Sequence, residues 1–189
     1  MLRIIGGTAR GIRIQAPDTE KTRPTLDRVK ESVFNILMPY LQETRVLDLF
    51  AGSGNLGIEA LSRGAHRAVF VDESKLCRKI IHDNLSKTRF TENNLVLTME
   101  VTQALALLKE KGEKFDLVFM DPPYNMNFLV KTLQKLDVFD IMKDDGIVAC
   151  EHHEDEVAPD KVGHLSKVRT KAYGDTVFSF YVMDGEADS

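Results

Sequence analysis

Cysteine is scarce in this chain, with two residues, Cys77 and Cys150, in 189. They lie far apart and form no CxxC pair, so neither a disulfide framework nor a zinc site is expected, and a reducing, cytoplasmic setting is the expected location. Long apolar runs are missing as well. No stretch of 18 apolar residues occurs, and Met1 leads into Arg3 and Gly6-Gly7 without an apolar leader, which argues against membrane spanning and against export. Internal repeats and low-complexity tracts are also absent. Net charge is −4, which does not by itself suggest a polyanionic partner.

The chain is 43% hydrophobic, enough for one domain with a full core and too short for two large ones. Its charge is uneven. Residues 1–30 carry seven basic side chains (Arg3, Arg10, Arg13, Lys21, Arg23, Arg28, Lys30) against three acidic ones, a local +4, leaving −8 for the remainder. A basic arm of this kind either touches phosphates or is simply solvated, and Arg3, Arg10, Arg13 and Arg28 are the candidates for contact with nucleic acid.

From Leu2 to Ala16 short apolar clusters turn through Gly6-Gly7 and Gly11, which predicts an N-terminal β-hairpin. Leu26, Val29, Val33, Phe34 and Leu37 then recur at helical spacing between Pro24 and Pro39, predicting a helix. Beyond residue 44, short apolar runs alternate with longer amphipathic stretches, the pattern of a parallel sheet covered by helices on both faces. Strands are expected at 45–50, 67–72, 95–99, 115–120 and 146–151, and helices near 55–64, 74–88, 102–111 and 126–138. Stretches 164–171 and 175–183 read as an antiparallel edge hairpin joined around Tyr173-Gly174-Asp175. The expected organisation is a single domain, with an extension at 1–44 and a catalytic α/β core at 45–183.

Two constellations carry chemistry. In Asp48-Leu49-Phe50-Ala51-Gly52-Ser53-Gly54-Asn55-Leu56-Gly57, the glycines at 52, 54 and 57 satisfy GxGxxG between a strand and a helix. They allow a tight turn whose amides approach a ligand at a helix N-terminus. Asp72 follows twenty residues after Gly52 at the end of the next strand, where a carboxylate can bind both hydroxyls of a ribose. An adenosine-containing ligand is expected. Asp48 at the mouth of the turn, with Phe50 beside it, would repel a pyrophosphate but suits the ammonium and sulfonium of S-adenosylmethionine. A helix-capping or loop-bonding role for Asp48 is the alternative.

The second constellation is Asp121-Pro122-Pro123-Tyr124, directly after the apolar strand 115–120. Two prolines remove two N–H donors and leave a stiff turn that presents carbonyl oxygens and the Asp121 carboxylate as acceptors. Its natural partner is a conjugated NH₂ group, whose hydrogens Asp121 and the Pro122 carbonyl would hold so that the nitrogen lone pair is freed to attack a methyl group. Tyr124 would stack on the base, which must come from a loop or leave its helix.

The segments Arg3-Ile4-Ile5-Gly6-Gly7, Arg10-Gly11, Arg23-Pro24-Thr25 with Asp27-Arg28-Val29, Phe34-Asn35, the run from Asp48 to Arg63 and Asp121-Pro122-Pro123-Tyr124, in this order, resemble the RsmD family of 16S ribosomal RNA (guanine-N2)-methyltransferases. The resemblance runs from residue 3 to about 182. It implies a Rossmann-like class I methyltransferase fold with a seven-stranded, mostly parallel sheet, S-adenosyl-L-methionine as donor, and a guanine N2 acceptor in ribosomal RNA or a small-subunit assembly intermediate. It also implies that Arg23 and Thr25 close over the methionine end of the cofactor. The chain departs from related enzymes at Met99-Glu100-Val101-Thr102-Gln103, where they often carry Asn-Ala or Asp-Ala.

His152 and His153 sit among Glu151, Glu154, Asp155 and Glu156, but neighbours on an extended backbone point to opposite faces, so an acidic loop is expected rather than a metal site. Three other functions compete. An adenine-N6 methyltransferase would use the same Asp-Pro-Pro-Tyr turn; an NAD-dependent oxidoreductase would use the glycine turn and Asp72 but leave that turn idle; an RNA-binding assembly factor would keep the fold without turnover.

Overall fold

Apolar side chains alternating to both faces of short runs build the centre of the molecule. The computed structural model describes residues 2–18, 24–124 and 127–185. Strands β1 (Leu2–Arg3) and β2 (Arg13–Ile14) form a small antiparallel ladder. Helix α1 (Pro24–Leu37) follows and tightens into a 3₁₀ turn, Met38–Tyr40, at Pro39. Then come β3 (Arg45–Leu49), α2 (Asn55–Ser62), β4 (Arg67–Val71), α3 (Lys75–Thr88), β5 (Leu95–Leu97), α4 (Val101–Glu110), β6 (Phe115–Met120) and α5 (Phe128–Phe139). The chain closes with β7 (Met142–His153), β8 (Lys161–Val162), β9 (Leu165–Tyr173) and β10 (Thr176–Met183).

The large sheet has the order β5-β4-β3-β6-β7-β10-β9-β8. Its first five strands are parallel, and β10, β9 and β8 add in antiparallel fashion. The winding changes direction between β3 and β6, and ligands of open α/β sheets bind beyond the strand ends at such a switch point.

Val46, Ala68, Phe70, Leu117, Phe119, Ile147 and Ala149 face a core shared with the N-terminal extension, α1, α2 and α3. Leu47, Leu49, Val69, Val71, Val118, Met120, Val148 and Cys150 face a second core under α4 and α5. This explains the near-continuous apolar strands in the sequence, since both faces are covered.

Three of the sheet's departures from the sequence expectation have a visible cause. It has eight strands rather than seven, because Lys161 and Val162 pair with β9 in a ladder too short to show in a pattern. Strand β7 begins at Met142 rather than 146; Lys143 reaches Asp116 of β6 at 2.8 Å, and the register shifts beside it. Strand β3 stops at Leu49 because Phe50 turns to φ +58, a left-handed conformation that leaves the ladder.

The N-terminal extension is anchored by a buried network that periodicity did not reveal. Glu59 of α2 is fully buried. Its carboxylate accepts the Ile5 N–H at 3.0 Å and the Gly6 N–H at 2.8 Å, and it pairs with Lys30 and Arg63, each at 2.9 Å. Lys30 also donates to the Arg3 carbonyl at 2.6 Å and to Asn55 Oδ1 at 2.8 Å. Lys30 was counted with the basic arm, yet it is buried and its charge is spent internally. On the other flank Asn84, also buried, bonds both backbone groups of Gln15 and the Ser53 carbonyl, tying the extension to the glycine turn.

Candidate active site

The register of the sheet brings the two sequence constellations together. Leu49 pairs with Val71 on one side and with Met120 on the other, so Phe50, Asp72 and Asp121 leave three adjacent strand tips. Adjacent strands lie about 5 Å apart, which sets the scale of the site.

The loop after β3 is a tight turn folded against β4. Ala51 N–H donates to the Val71 carbonyl at 2.9 Å, and Gly54 N–H to the Ala51 carbonyl at 2.7 Å. Gly54, at φ +76, is the N-cap of α2 without a side-chain cap, so the helix amides that follow need other acceptors. Asp48 supplies one. It is 3% exposed, and its Oδ2 accepts the Gly57 N–H at 2.9 Å. Gly57 is needed for proximity: an added Cβ there would run into the Phe70 ring and come within 3.1 Å of the Asp48 carboxylate. Asp48 therefore caps α2, the alternative weighed from the sequence. Phe50 packs edge-on against Phe128, ring centroids 6.1 Å apart, and is partly exposed.

Asp72 stands where the spacing put it. Its Oδ2 accepts the Gly52 N–H at 2.9 Å and its Oδ1 the Ser74 N–H at 2.9 Å, so the carboxylate is fixed in direction while the residue stays partly exposed. Beside it at the tip of β5, the Thr98 hydroxyl is buried and finds no hydrogen-bond partner among the described residues. A buried hydroxyl without a partner beside a fixed carboxylate leaves a polar group that a bound molecule could satisfy. Sequence reasoning missed Thr98, since nothing in a lone threonine after a strand marks it.

On the other side of the switch point, Pro122 is buried and anchors its turn, while Asp121, Pro123 and Tyr124 are exposed. Met120 pairs with Cys150, so Asp121 leaves its strand beside Glu151. Tyr124 stands edge-on to His153 with centroids 6.0 Å apart. Partial burial, then the charges of Glu151, Asp121, Glu156 and Asp175, push the Tyr124 hydroxyl well above the usual tyrosine range, so it stays protonated. The rim is thus acidic around one neutral aromatic ring. The histidine pair divides as the strand geometry requires: His152 is buried against the Ser179 hydroxyl at 2.9 Å, and His153 faces Tyr124.

Arg3, Arg10 and Arg28 line one groove of about 380 Å³ together with Ile4, Ile5, Gly11, Asp27 and Glu31. Arg3 pairs with Asp27 at 2.7 Å, and Arg13 is exposed on β2 outside the groove lining. Arg23 and the side chain of Thr25 fall outside the described residues.

A parallel sheet wound outward from β3 and β6 and closed by an inserted antiparallel strand, β10, is the architecture of the Rossmann-like, S-adenosylmethionine-dependent methyltransferases. A solved structure described as "Putative methyltransferase yhhF from Escherichia coli" superposes with a TM-score of 0.83 at 32% identity, covering 98% of this chain and 99% of that one. Residues 2–182 match the family described as Conserved hypothetical protein 95, the RsmD family, and the chain belongs to it. Among curated relatives, "Putative rRNA methyltransferase YlbH" of Bacillus subtilis is 37% identical over 97% of this chain and all of that protein. "Ribosomal RNA small subunit methyltransferase D" of Escherichia coli is 32% identical over the whole chain and 93% of that protein.

Proposed function

We propose that this chain transfers a methyl group from S-adenosyl-L-methionine to the exocyclic N2 amino group of a guanine in small-subunit (16S) ribosomal RNA. The observation that carries the reading is the register that sets the acceptor-only turn at Asp121 beside the turn and carboxylate suited to adenosine. The names borne by the relatives point to ribosomal RNA of the small subunit. When bound, S-adenosylmethionine supplies an electrophilic methyl group on a positively charged sulfur.

The residues fit that cofactor. Asp72 holds the ribose hydroxyls, the amides of Gly52 and Gly54 line the turn, and Asp48, Phe50, Arg23 and Thr25 serve the methionine end. The buried Thr98 hydroxyl offers a bond to the base. Asp121 and the Pro122 carbonyl accept the two hydrogens of the target amine, orient its lone pair and favour loss of a proton from it. Tyr124, kept neutral, stacks on the flipped guanine. Arg3, Arg10, Arg13 and Arg28 meet phosphates of the ribosomal RNA, free or in a small-subunit assembly intermediate, and set orientation more than sequence.

Mass mapping of rRNA nucleosides from cells lacking this protein tests the reading. One N2-methylguanosine should vanish from small-subunit rRNA, returning with the intact chain and not with Asp121→Ala. Loss of an N6-methyladenosine instead would support the adenine alternative, and unchanged rRNA would overturn both.

A further inference from the structure

Strand β9 is open along most of one side. β8 covers only Leu165 and Ser166, while β10 occupies the opposite side as far as Tyr173. Every residue from Val168 to Ala172 is exposed. Charge is a common guard for such an edge, and here a bulge decides where the charge goes. Tyr181 pairs with Lys167 and Phe180 with Arg169, so Val168 has no counterpart on β10. A regular strand would set Lys167, Arg169 and Lys171 on one face. The extra residue splits them.

Lys167 lies opposite Tyr181 on the α4 and α5 side, where it pairs with Asp160 at 2.9 Å. Arg169 and Lys171 lie opposite Phe180 and Phe178, on the side of the sheet shared with α1. Neither finds an acidic partner among the described residues. Tyr173, next on that face, packs on the α1-side core, and its hydroxyl donates to Ser32 Oγ of α1 at 2.6 Å. Ser32 is one helical turn beyond Arg28, which lines the groove with Arg3 and Arg10. At the turn of this hairpin Tyr173 pairs with Thr176, which pairs in turn with His153, the residue that faces Tyr124.

We infer that Arg169 and Lys171 form a phosphate-binding track that carries the RNA surface of the N-terminal extension across α1 and along the open edge of the sheet. The inference rests on RNA as the substrate. The occupant is the sugar-phosphate backbone flanking the methylated nucleotide. That nucleotide enters a rim of carboxylates at Asp121, Glu151, Glu156 and Asp175, which repels phosphates. Cations outside the rim must hold the flanking strand, and this edge supplies two with no ion pair to an acid among the described residues, about 7 Å apart.

The test uses the full-length protein with transcribed 16S rRNA and with small subunits from cells lacking the protein as probes. In Arg169→Ala/Lys171→Ala the slope of log affinity against log salt should shrink by about 1.4, the value for two single-strand phosphate contacts. Affinity at 0.1 M salt should fall on the order of tenfold with it. S-adenosylmethionine affinity should be unchanged, and Arg169→Lys/Lys171→Arg should behave as wild type. If wild type binds and methylates RNA while the alanine variant matches it in slope and affinity, the track is wrong and the substrate reading stands. If wild type binds neither probe, both fall. An equal loss of S-adenosylmethionine affinity in the alanine variant also overturns the track.

Discussion

Replacing Glu59 with alanine would strip the anchor from the N-terminal extension, and the structure sets the size of the effect. Glu59 is fully buried, and the Lys30 and Arg63 side chains it pairs with are 5% and 14% exposed. Burial already lowers the Lys30 pKa, with Glu59 as the main opposing influence. Without that carboxylate, Lys30 keeps the Arg3 carbonyl and Asn55 Oδ1 as its hydrogen-bond partners among the described residues, with Asp27 the remaining favourable charge, and the Ile5 and Gly6 amides lose their acceptor. Breaking a buried pair by removing one partner costs about 3–5 kcal/mol, a large share of the roughly 5–15 kcal/mol that holds a domain folded.

Urea unfolding followed by circular dichroism measures the loss. Hydrogen exchange at Ile5 and Gly6 locates it, because these amides should open while those of Leu47 and Val69 in the central strands stay protected. Glu59→Ala/Lys30→Met should recover about 1 kcal/mol or more over Glu59→Ala, since the more deeply buried of the two stranded cations is gone. A loss below about 1 kcal/mol for Glu59→Ala, or a double variant no more stable than the single, would refute the reasoning.

Cys150 is fully buried, and desolvation pushes its thiol above the ordinary 9.0. A folded-state value above the unfolded one gives stability that is complete below pH 9 and lost as pH rises, because the unfolded thiol ionises first. The advantage of wild type over Cys150→Ala should therefore shrink by up to about 1.4 kcal/mol per pH unit above pH 9, and a difference that stays flat up to about pH 10.5 contradicts this. Asp72→Ala should weaken S-adenosylmethionine binding at least tenfold in calorimetry, on the scale of about 1.5–3 kcal/mol for hydrogen bonds to a charged group. An unaltered dissociation constant would remove Asp72 from the cofactor site.

Much of the architecture could be read before any coordinates, for a physical reason. Strands buried on both faces are uninterrupted apolar runs, and glycine, proline and aspartate mark where they turn, so β3, β4 and β6 and the two turns beyond them stand out. The features that escaped depend on partners distant in sequence. Glu59 looks like one more helix charge until Ile5, Gly6 and Lys30 are folded onto it. Lys143-Asp144-Asp145 reads as a loop and lies in the register shift between Met142 and Ile147; the pairing of Met142 with Phe115 and of Lys143 with Asp116 draws it into the strand. The bulge at Val168 has no local signature and appears only in the register with β10. Asp48 shows the limit at the site, since its position was legible but the Gly57 amide that it caps was not.

The central claim is that Asp121 holds a nucleobase amine for methyl transfer, and Asp121→Asn tests it most directly. The change keeps the shape but turns an acceptor toward the amine into a donor. Single-turnover methylation of undermethylated small-subunit rRNA, with S-adenosylmethionine affinity measured alongside, should show a rate about 100-fold lower or worse and cofactor binding within twofold of wild type. A variant that transfers methyl groups at close to the wild-type rate would contradict the account.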